Sequence, residues 1–427
     1  MREFKLLKKE LESGKYDELF ADIYEDVNLT AYQRQRYIKL LKLFEETFSE
    51  REVAVYSAPG RSEVCGNHTD HQRGEVIATS INLDAVAVVS YNDENIIRVV
   101  SDGYPMLTVE LADLEKKEED EGTSAGLIKG VSYALKKEGY KISGFNAYVT
   151  SDVLIGAGLS SSAAFETIMG TIIKGLFNNM EISAVKIAQA GQYAENVFFG
   201  KPCGLMDQMA CSVGGMIHID FKDTGNPVVE KVAVDFGKYR HSLCIVDTKG
   251  SHQDLTADYA AVPKEMKAIA AYFGREVLRE VDEDEFYKNI ANVREAVNDR
   301  AVLRAIHFFE ENKRVERIVS ALNDGNFDAF LRLITDSGNS SFKYLQNVYT
   351  NKDVEHQGVS LGLAASDIAL RGAGAARVHG GGFAGTIQAF VPDDMVEDYR
   401  NFMDSVFGKD ACHVLKVRKY GGIKVID

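Results

Sequence analysis

IGAGLSSSAAFE, residues 155–166, is the stretch on which the reading of this chain turns. Gly156 and Gly158 let a backbone approach a ligand more closely than a Cβ atom would permit. Ser160, Ser161 and Ser162 then open a run that continues through Ala163 and Ala164, both strong helix formers. A helix starting there gathers free N–H groups, hydroxyls and the positive end of its dipole at one point, a ready site for phosphate. A glycine-rich turn with a serine N-cap is the plainer reading, and it would be enough for a lone GxG. It does not account for three successive serines. No GK[ST] follows, so the loop is not of Walker A type, and the protein-kinase HRD sequence does not occur.

Outward from the loop, Phe145–Val149 alternates as a short strand that leads into it. Helices are expected over 161–177 and 184–199, the second starting after Ser183 and stopping at Gly200–Pro202. Upstream, residues 1–50 read as helical, with Tyr37, Leu40, Leu41, Phe44 and Phe48 as the apolar stripe. From Val53 the character changes to strand and turn, with APGR at 58–61 and a β-rich run through Ser90. DLEKKEEDEG, 113–122, reads as a solvated charge run. Downstream come a strand at Leu243–Asp247, helical stretches from about 256 to 335, a glycine-rich turn, a strand at Thr386–Val391, a helix and a strand. A chain of 427 residues exceeds one ordinary core. KDTGNP breaks the pattern near 222–230. The expected organisation is α+β: a helical extension 1–50, a domain 51–225 and a second domain 226–427.

The net charge of −15 argues against general affinity for nucleic acid or anionic membranes, but not against a phosphate ligand held by backbone amides and a cation. Apolar runs such as Val76–Val89 are interrupted by polar residues, and no stretch has the length of a membrane span. The first residues are charged and lack an apolar signal core, so the expected location is cytoplasmic. Cys65, Cys203, Cys211, Cys244 and Cys412 show no metal or disulfide spacing and read as free thiols. A monomer is expected.

AENVFFGKPCGLMDQMAC, 194–211, holds two acids, Glu195 and Asp207. Glu195 falls near the end of an expected helix, where the dipole disfavours a carboxylate and a bound cation would offset that. Carboxylate and serine hydroxyl are hard oxygen donors suited to magnesium. On residue type alone, a surface glutamate and an aspartate capping the next helix explain the pair better.

The loop resembles the PxGxGLSSSAA phosphate loop of the GHMP kinases, with Leu154 in place of the usual proline. APGRSEVCGNHTDHQRG, 58–74, is similar to the galactokinase signature GRxNxIGEHTDYNxG, and VHGGGFAGT, 378–386, to the third, glycine-rich motif of the superfamily. The resemblance spans residue 53 to the C-terminus and leaves the first 50 residues without a role. It implies a two-domain fold, with a ribosomal-protein-S5-domain-2-like N-terminal domain and a ferredoxin-like C-terminal domain. It also implies ATP binding by Gly156, Ala157, Gly158, Leu159, Ser160, Ser161 and Ser162, with Mg2+ held by Ser162 and Glu195. Asp207 matches the catalytic base and Arg61 the arginine beside it, for which a core salt bridge is the alternative. Sugar contacts are implied for Arg61, Asn67, His68, Asp70 and Asp207, with an Asx turn as the alternative for Asp70. SHQDLTADY, 251–259, resembles the family's HxLxxSxY segment, which aligns Tyr259 with a sugar-binding tyrosine. The basic pair that usually follows is replaced by Ala260 and Ala261, and a buried core tyrosine is the alternative.

The implied activity is ATP-dependent phosphorylation of galactose at its anomeric hydroxyl. Asn67 stands where the family signature has glutamate, and His71 where it has tyrosine. An amide accepts a hydrogen bond and also donates one without charge, so it would tolerate a sugar acid. Galacturonate is therefore the alternative substrate. A galactose sensor without turnover is a third reading, against which the intact SSSAA at 160–164 speaks. If Asn67 reads the sugar, glutamate at that position would preserve turnover of galactose and abolish that of galacturonate.

Overall fold

Alternation along Val53–Ala58 dictates how the first layers assemble. Val53 and Val55 face one way, into a core shared with the first helices, whereas Ala54, Tyr56 and Ala58 face a second core on the opposite side. A strand buried on both faces reads as a continuous apolar run, which is why EVAVYSAPG and INLDAVAVV show no polar face. The structure, a computed structural model, describes residues 1–49, 52–154, 158–250 and 255–427.

Among the described residues, nine strands form the first sheet. They are β1 (Arg2–Glu3), β2 (Glu52–Cys65), β3 (Glu75–Tyr91), β4 (Ile96–Ser101), β5 (Leu107–Glu110), β6 (Phe145–Ser151), β7 (Met216–Asp220), β8 (Val228–Lys231) and the last strand of the chain. The second sheet takes β9 (His241–Asp247), β10 (Ala375–Val378), β11 (Thr386–Pro392) and β12 (Cys412–Leu415) in the order β10-β11-β9-β12, antiparallel throughout. That order is ferredoxin-like. The last strand, β13 (Ile423–Ile426), returns to pair with β2.

Helices α1 (Phe4–Glu12), α2 (Asp17–Tyr24) and α3 (Thr30–Phe48) cover one face of the first sheet. The opposite face carries α4 (Ser124–Lys137), α5 (Ser161–Phe177) and α6 (Ala184–Tyr193). Helix α7 (Met206–Val213) precedes β7. The expected helical stretch 256–335 resolves into α8 (Thr256–Tyr272), α9 (Glu283–Lys288), α10 (Ile290–Ala296), α11 (Asp299–Asn323) and α12 (Phe327–Ser340), and α13 (Gly358–Leu370) and α14 (Val396–Phe407) complete the second half. Where the halves meet, Val64, Cys65, Ile77 and Ile81 of the first sheet pack with Val315 and Ile318 of α11 and with Leu243 and Ile245 of β9. The functional residues collect along this junction. No helix among the described residues is long and apolar enough to cross a membrane. All five cysteines are free, and four are buried.

Four expectations change. The break placed at 222–230 falls inside the first sheet, because Val228–Lys231 pairs with β7; the passage to the second sheet comes between Lys231 and His241. The helix expected over 184–199 changes after Tyr193 into a π-helical turn, Ala194–Phe199. In the charge run 113–122, Asp120 is buried and ion-paired with the buried Lys129 at 3.0 Å. The first helices are no appendage: Tyr37, Leu40, Leu41 and Phe44 are buried against the sheet, and Phe48 is half-buried at the rim.

The helices and the tail are fastened by one carboxylate. Asp84 of β3, fully buried, accepts from Arg36 of α3 at 2.6 Å, from Arg418 of the tail at 2.9 Å and from Tyr24 of α2 at 2.9 Å; the Ser57 hydroxyl also donates to it. Burial would raise this carboxyl, but Arg36 and Arg418 outweigh that and hold it below the usual range. Asp84→Asn leaves two buried guanidinium groups short of an anion. It is expected to cost about 3–5 kcal/mol in denaturant unfolding. A loss of about 1 kcal/mol or less, typical of an exposed pair, would contradict this.

Candidate active site

Gly158 and Ser160 both adopt left-handed backbone, with φ of +69° and +56°. For serine that conformation costs about 1–2 kcal/mol, so tertiary contacts must hold it. Ser160 occupies the N-cap of α5 but makes no capping bond: its hydroxyl donates to Asp207, 47 residues away in sequence. Ser162 Oγ lies 3.4 Å from Glu195 Oε1. Ser160 therefore does not cap its own helix with its side chain. Gly156 and Ala157 lie outside the described residues.

The third glycine-rich motif packs directly under this loop. A Cβ added to Gly158 would come within 3.2 Å of His379 Nδ1 and 3.3 Å of Thr386 Oγ1. His379 is fixed by Thr386 Oγ1 at 2.9 Å and Ser62 Oγ at 3.1 Å. Burial, with Arg61 and Arg377 adding to it, pushes its imidazole far below the ordinary value, so the ring is neutral.

Asp207 is the second residue of α7, where the helix dipole favours an anion. Arg61, on β2, grips it with two bonds, Nε to Oδ1 and Nη2 to Oδ2, each 2.7 Å. The same guanidinium donates to the Gly158 carbonyl, and the Arg61 N–H donates to Leu159 O at 3.2 Å. Close approach of the strand needs a glycine next door: a Cβ on Gly60 would sit 2.9 Å from Leu159 O. Burial would raise the Asp207 carboxyl, but Arg61 outweighs it, with help from Ser160, and keeps it below the usual range. The Arg61 side chain is 9% exposed and that of Asp207 31%, so the carboxylate is the open face of the pair. An ionised acceptor thus faces the cleft beside a fixed positive charge. That arrangement suits a group which orients or deprotonates a hydroxyl while charge develops nearby.

Glu195 sits in the π-helical turn, a local widening that turns its side chain inward, and it is 3% exposed. Lys201 Nζ lies 2.9 Å from its Oε1, and Gln208 Nε2 bridges its Oε2 (2.9 Å) to Glu166 Oε2 (3.0 Å). Burial and the adjacent Glu195 hold the Glu166 carboxyl far above the usual range. Glu195 is the member of the pair that faces Ser162 and Lys201. It offers, with Ser162, two hard oxygen donors at a point where a lysine ammonium already marks a place for positive charge. The Lys201 side chain is 62% exposed, so its charge reaches this point from the solvent side. A magnesium ion fits this donor set, since that ion usually takes only one or two protein ligands beside phosphate and water.

The turn after β2 brings Asp70 toward the same cleft. A Cβ on Gly204 would meet Asp70 Oδ2 at 2.2 Å, which places this carboxyl against the segment leading to Asp207. Burial pushes it up to about 6, with Glu63 and Asp207 adding to the shift. His68, at φ +59°, has its Nε2 3.0 Å from the Gly381 carbonyl. Tyr259 donates to Gly382 O at 2.9 Å, and its ring lies against Gly381 and edge-on to Phe383. His68 and Tyr259 thus meet on the glycine loop 380–382. His252 lies outside the described residues.

Asn67 is placed differently from expectation. It is 1% exposed, its Nδ2 donates to Glu63 Oε1 at 2.9 Å and to Gly380 O at 2.7 Å, and its Oδ1 accepts from Asn347 at 2.7 Å. Its amide binds protein groups here, where the expectation had it reading the sugar's exocyclic group. Glu166, Lys201, Gln208, Asn347 and His379 were not singled out in the sequence. Gln208 directly follows Asp207, and His379 opens the glycine motif, so both had a local signal; Asn347 had none.

The family described as GHMP kinases N terminal domain matches residues 126–215, the span holding the serine loop, Glu195 and Asp207. The galactokinase galactose-binding signature matches residues 42–91, the span holding Arg61 and Asp70. The chain is 30% identical over 379 residues to galactokinase of Lactobacillus helveticus, covering 86% of this chain and 93% of that one. It is also 30% identical over 371 residues to galactokinase of Staphylococcus carnosus, covering 85% and 92%. Among solved structures, Lactococcus lactis galactokinase complexed with galactose superposes with a TM-score of 0.75 at 24% identity, covering 90% of this chain and 98% of that one. Methanococcus jannaschii mevalonate kinase gives 0.60 at 16% identity, covering 86% and 98%. These two likenesses are of fold.

The position of Asn67 reverses one expectation. Asn67→Glu would set a carboxylate against Glu63 and the Gly380 carbonyl and remove both donated bonds. It is expected to lower stability by about 3 kcal/mol or more in thermal or denaturant unfolding, because a buried charge is left facing acceptors. A variant as stable as the parent would contradict the placement.

Proposed function

From the premise that this chain belongs to the galactokinase family of GHMP kinases, we propose that it transfers the γ-phosphoryl group of ATP to the anomeric hydroxyl of galactose, releasing ADP. The observation that carries the proposal is the bidentate Arg61–Asp207 pair set against the serine loop. Asp207, kept ionised by Arg61, accepts the hydrogen bond of the attacking hydroxyl and takes its proton as the phosphoryl group moves. Arg61 supplies fixed positive charge beside the transferred group. Transfer is direct and in line, without a covalent enzyme intermediate, and positioning contributes more than proton abstraction because such transition states are loose. The N-terminus of α5 and the backbone from Gly158 to Ser162 hold the phosphates. Ser162 and Glu195 would hold a magnesium ion, which when bound neutralises phosphate oxygens. Asp70, whose carboxyl is pushed up to about 6 by burial, accepts hydrogen bonds from ring hydroxyls.

Galactose is favoured over galacturonate. The ground for a sugar acid was an amide at position 67 facing the substrate, and that amide is engaged within the protein. The reading is tested by ADP release with ATP, magnesium and a panel of sugars: turnover is expected with galactose, and its absence would overturn the proposal. Glu195→Gln is expected to raise the magnesium concentration for half-maximal activity about ten-fold or more, with an unchanged melting temperature, since one anionic ligand is lost. An unchanged magnesium titration would show that Glu195 holds no metal.

A further inference from the structure

Helix α11 belongs to the second half of the chain, yet three of its side chains end on the backbone of the turn that carries His68 and Asp70. His307 Nε2 lies 2.9 Å from the Asn67 carbonyl oxygen, and its Nδ1 lies 2.9 Å from Ser340 Oγ. One helical turn later, Glu311 Oε1 accepts from the Gly66 N–H at 3.1 Å, the Cys65 thiol at 3.2 Å and the Ser337 hydroxyl at 2.6 Å. The next residue, Asn312, accepts the Glu75 N–H at 2.9 Å. His307 and Glu311 are fully buried. Neither residue touches the Arg61–Asp207 pair through any hydrogen bond or ion pair given among the described residues, so the phosphoryl-transfer machinery does not explain them.

The turn needs outside support. Gly66 has φ +96°, and a Cβ there would come 2.5 Å from the Glu75 carbonyl oxygen; His68 follows in left-handed conformation at φ +59° and Arg73 at +57°. Non-glycine residues persist in that region only when surrounding structure over-determines them. The chemistry of the clamp is matched to that task. Burial pushes the His307 imidazole down to about 4, so it is neutral, donating from Nε2 to the carbonyl and accepting at Nδ1 from Ser340. Burial would raise the Glu311 carboxyl, but the Arg314 and Arg377 guanidinium groups, with the Ser337 hydroxyl, outweigh it and keep it below the usual carboxylate range, an acceptor for the Gly66 amide.

We propose that His307, Glu311 and Asn312 are positioning residues for the sugar subsite, fixing the backbone of residues 66–75 so that Asp70 faces the cleft and His68 meets the glycine loop. The inference rests on the reading above insofar as that turn contacts the sugar. It makes sugar affinity, and not nucleotide affinity, depend on how α11 packs against the first half.

The test compares His307→Leu, which removes the donor, with His307→Gln, whose Nε2–H reaches the same carbonyl. His307→Leu is expected to raise the KM for galactose about ten-fold or more with the KM for ATP within about two-fold, and His307→Gln to recover most of that loss. Equal rises in both KM values, no rise in a folded His307→Leu, or a His307→Gln as impaired as His307→Leu would overturn the proposal. Should His307→Leu fail to fold, Asn312→Ala, at a half-buried position, decides in the same way: a rise confined to the sugar supports the clamp, and an unchanged or parallel response overturns it. Amide hydrogen exchange over residues 66–75 is read on the same variants without substrate. Exchange faster by about ten-fold in that segment is expected, and unchanged exchange overturns the clamp whether or not galactose is the substrate.

Discussion

One guanidinium carries the obligations on which the site depends. Arg61 makes two bonds to Asp207, one to the Gly158 carbonyl and, through its own backbone, one to Leu159. Strand β2, the serine loop and the start of α7 are thereby held at one point. The pair is nearly dry on the arginine side and open on the aspartate side, so charge is stored where a hydroxyl can reach it. An unpaired aspartate at this depth would be pushed toward its neutral form; the arginine prevents that. The left-handed backbone at Ser160 follows from the same constraint, since its hydroxyl completes the set around Asp207.

Around that point, a shared loop adds to the apolar junction between the two halves of the chain. The glycine loop 380–382 is shared: Gly380 and Gly381 accept from the first half through Asn67 and His68, while Tyr259 and Asn347 hold the same loop from the second half. Carbonyls can approach side chains from both sides here because no Cβ intervenes; one on Gly382 would fall 2.0 Å from Asn347 O. On β3, Asp84 does the comparable task for the first helices and the tail, with one carboxylate between two arginines. Buried charge therefore ties distant segments together at both places.

Legibility in the sequence followed the range of the forces involved. The start of α5 at Ser161 and the pairing of Arg61 with Asp207 could be anticipated, the first from local propensity and the second from family motif spacing. What escaped was set by partners hundreds of positions away. Whether Asn67 faces the sugar or the protein is decided by Gly380 and Asn347, and no local pattern encodes that choice. The π-helical turn at 194–199 was invisible because its residues suit an α-helix equally well. The break at KDTGNP was a real turn but not a change of sheet, since a hairpin and a domain boundary use the same residues.

The central claim is that Arg61 and Asp207 act as one unit and not as two independent contributors. A double-mutant cycle on kcat, with Arg61→Ala, Asp207→Asn and the combined variant, measures this directly. Each single change is predicted to lower kcat by about a thousand-fold or more, and the combined change to be about as severe as the worse of the two. Losses that multiply in the combined variant, or a near-normal kcat in Asp207→Asn, would contradict the account.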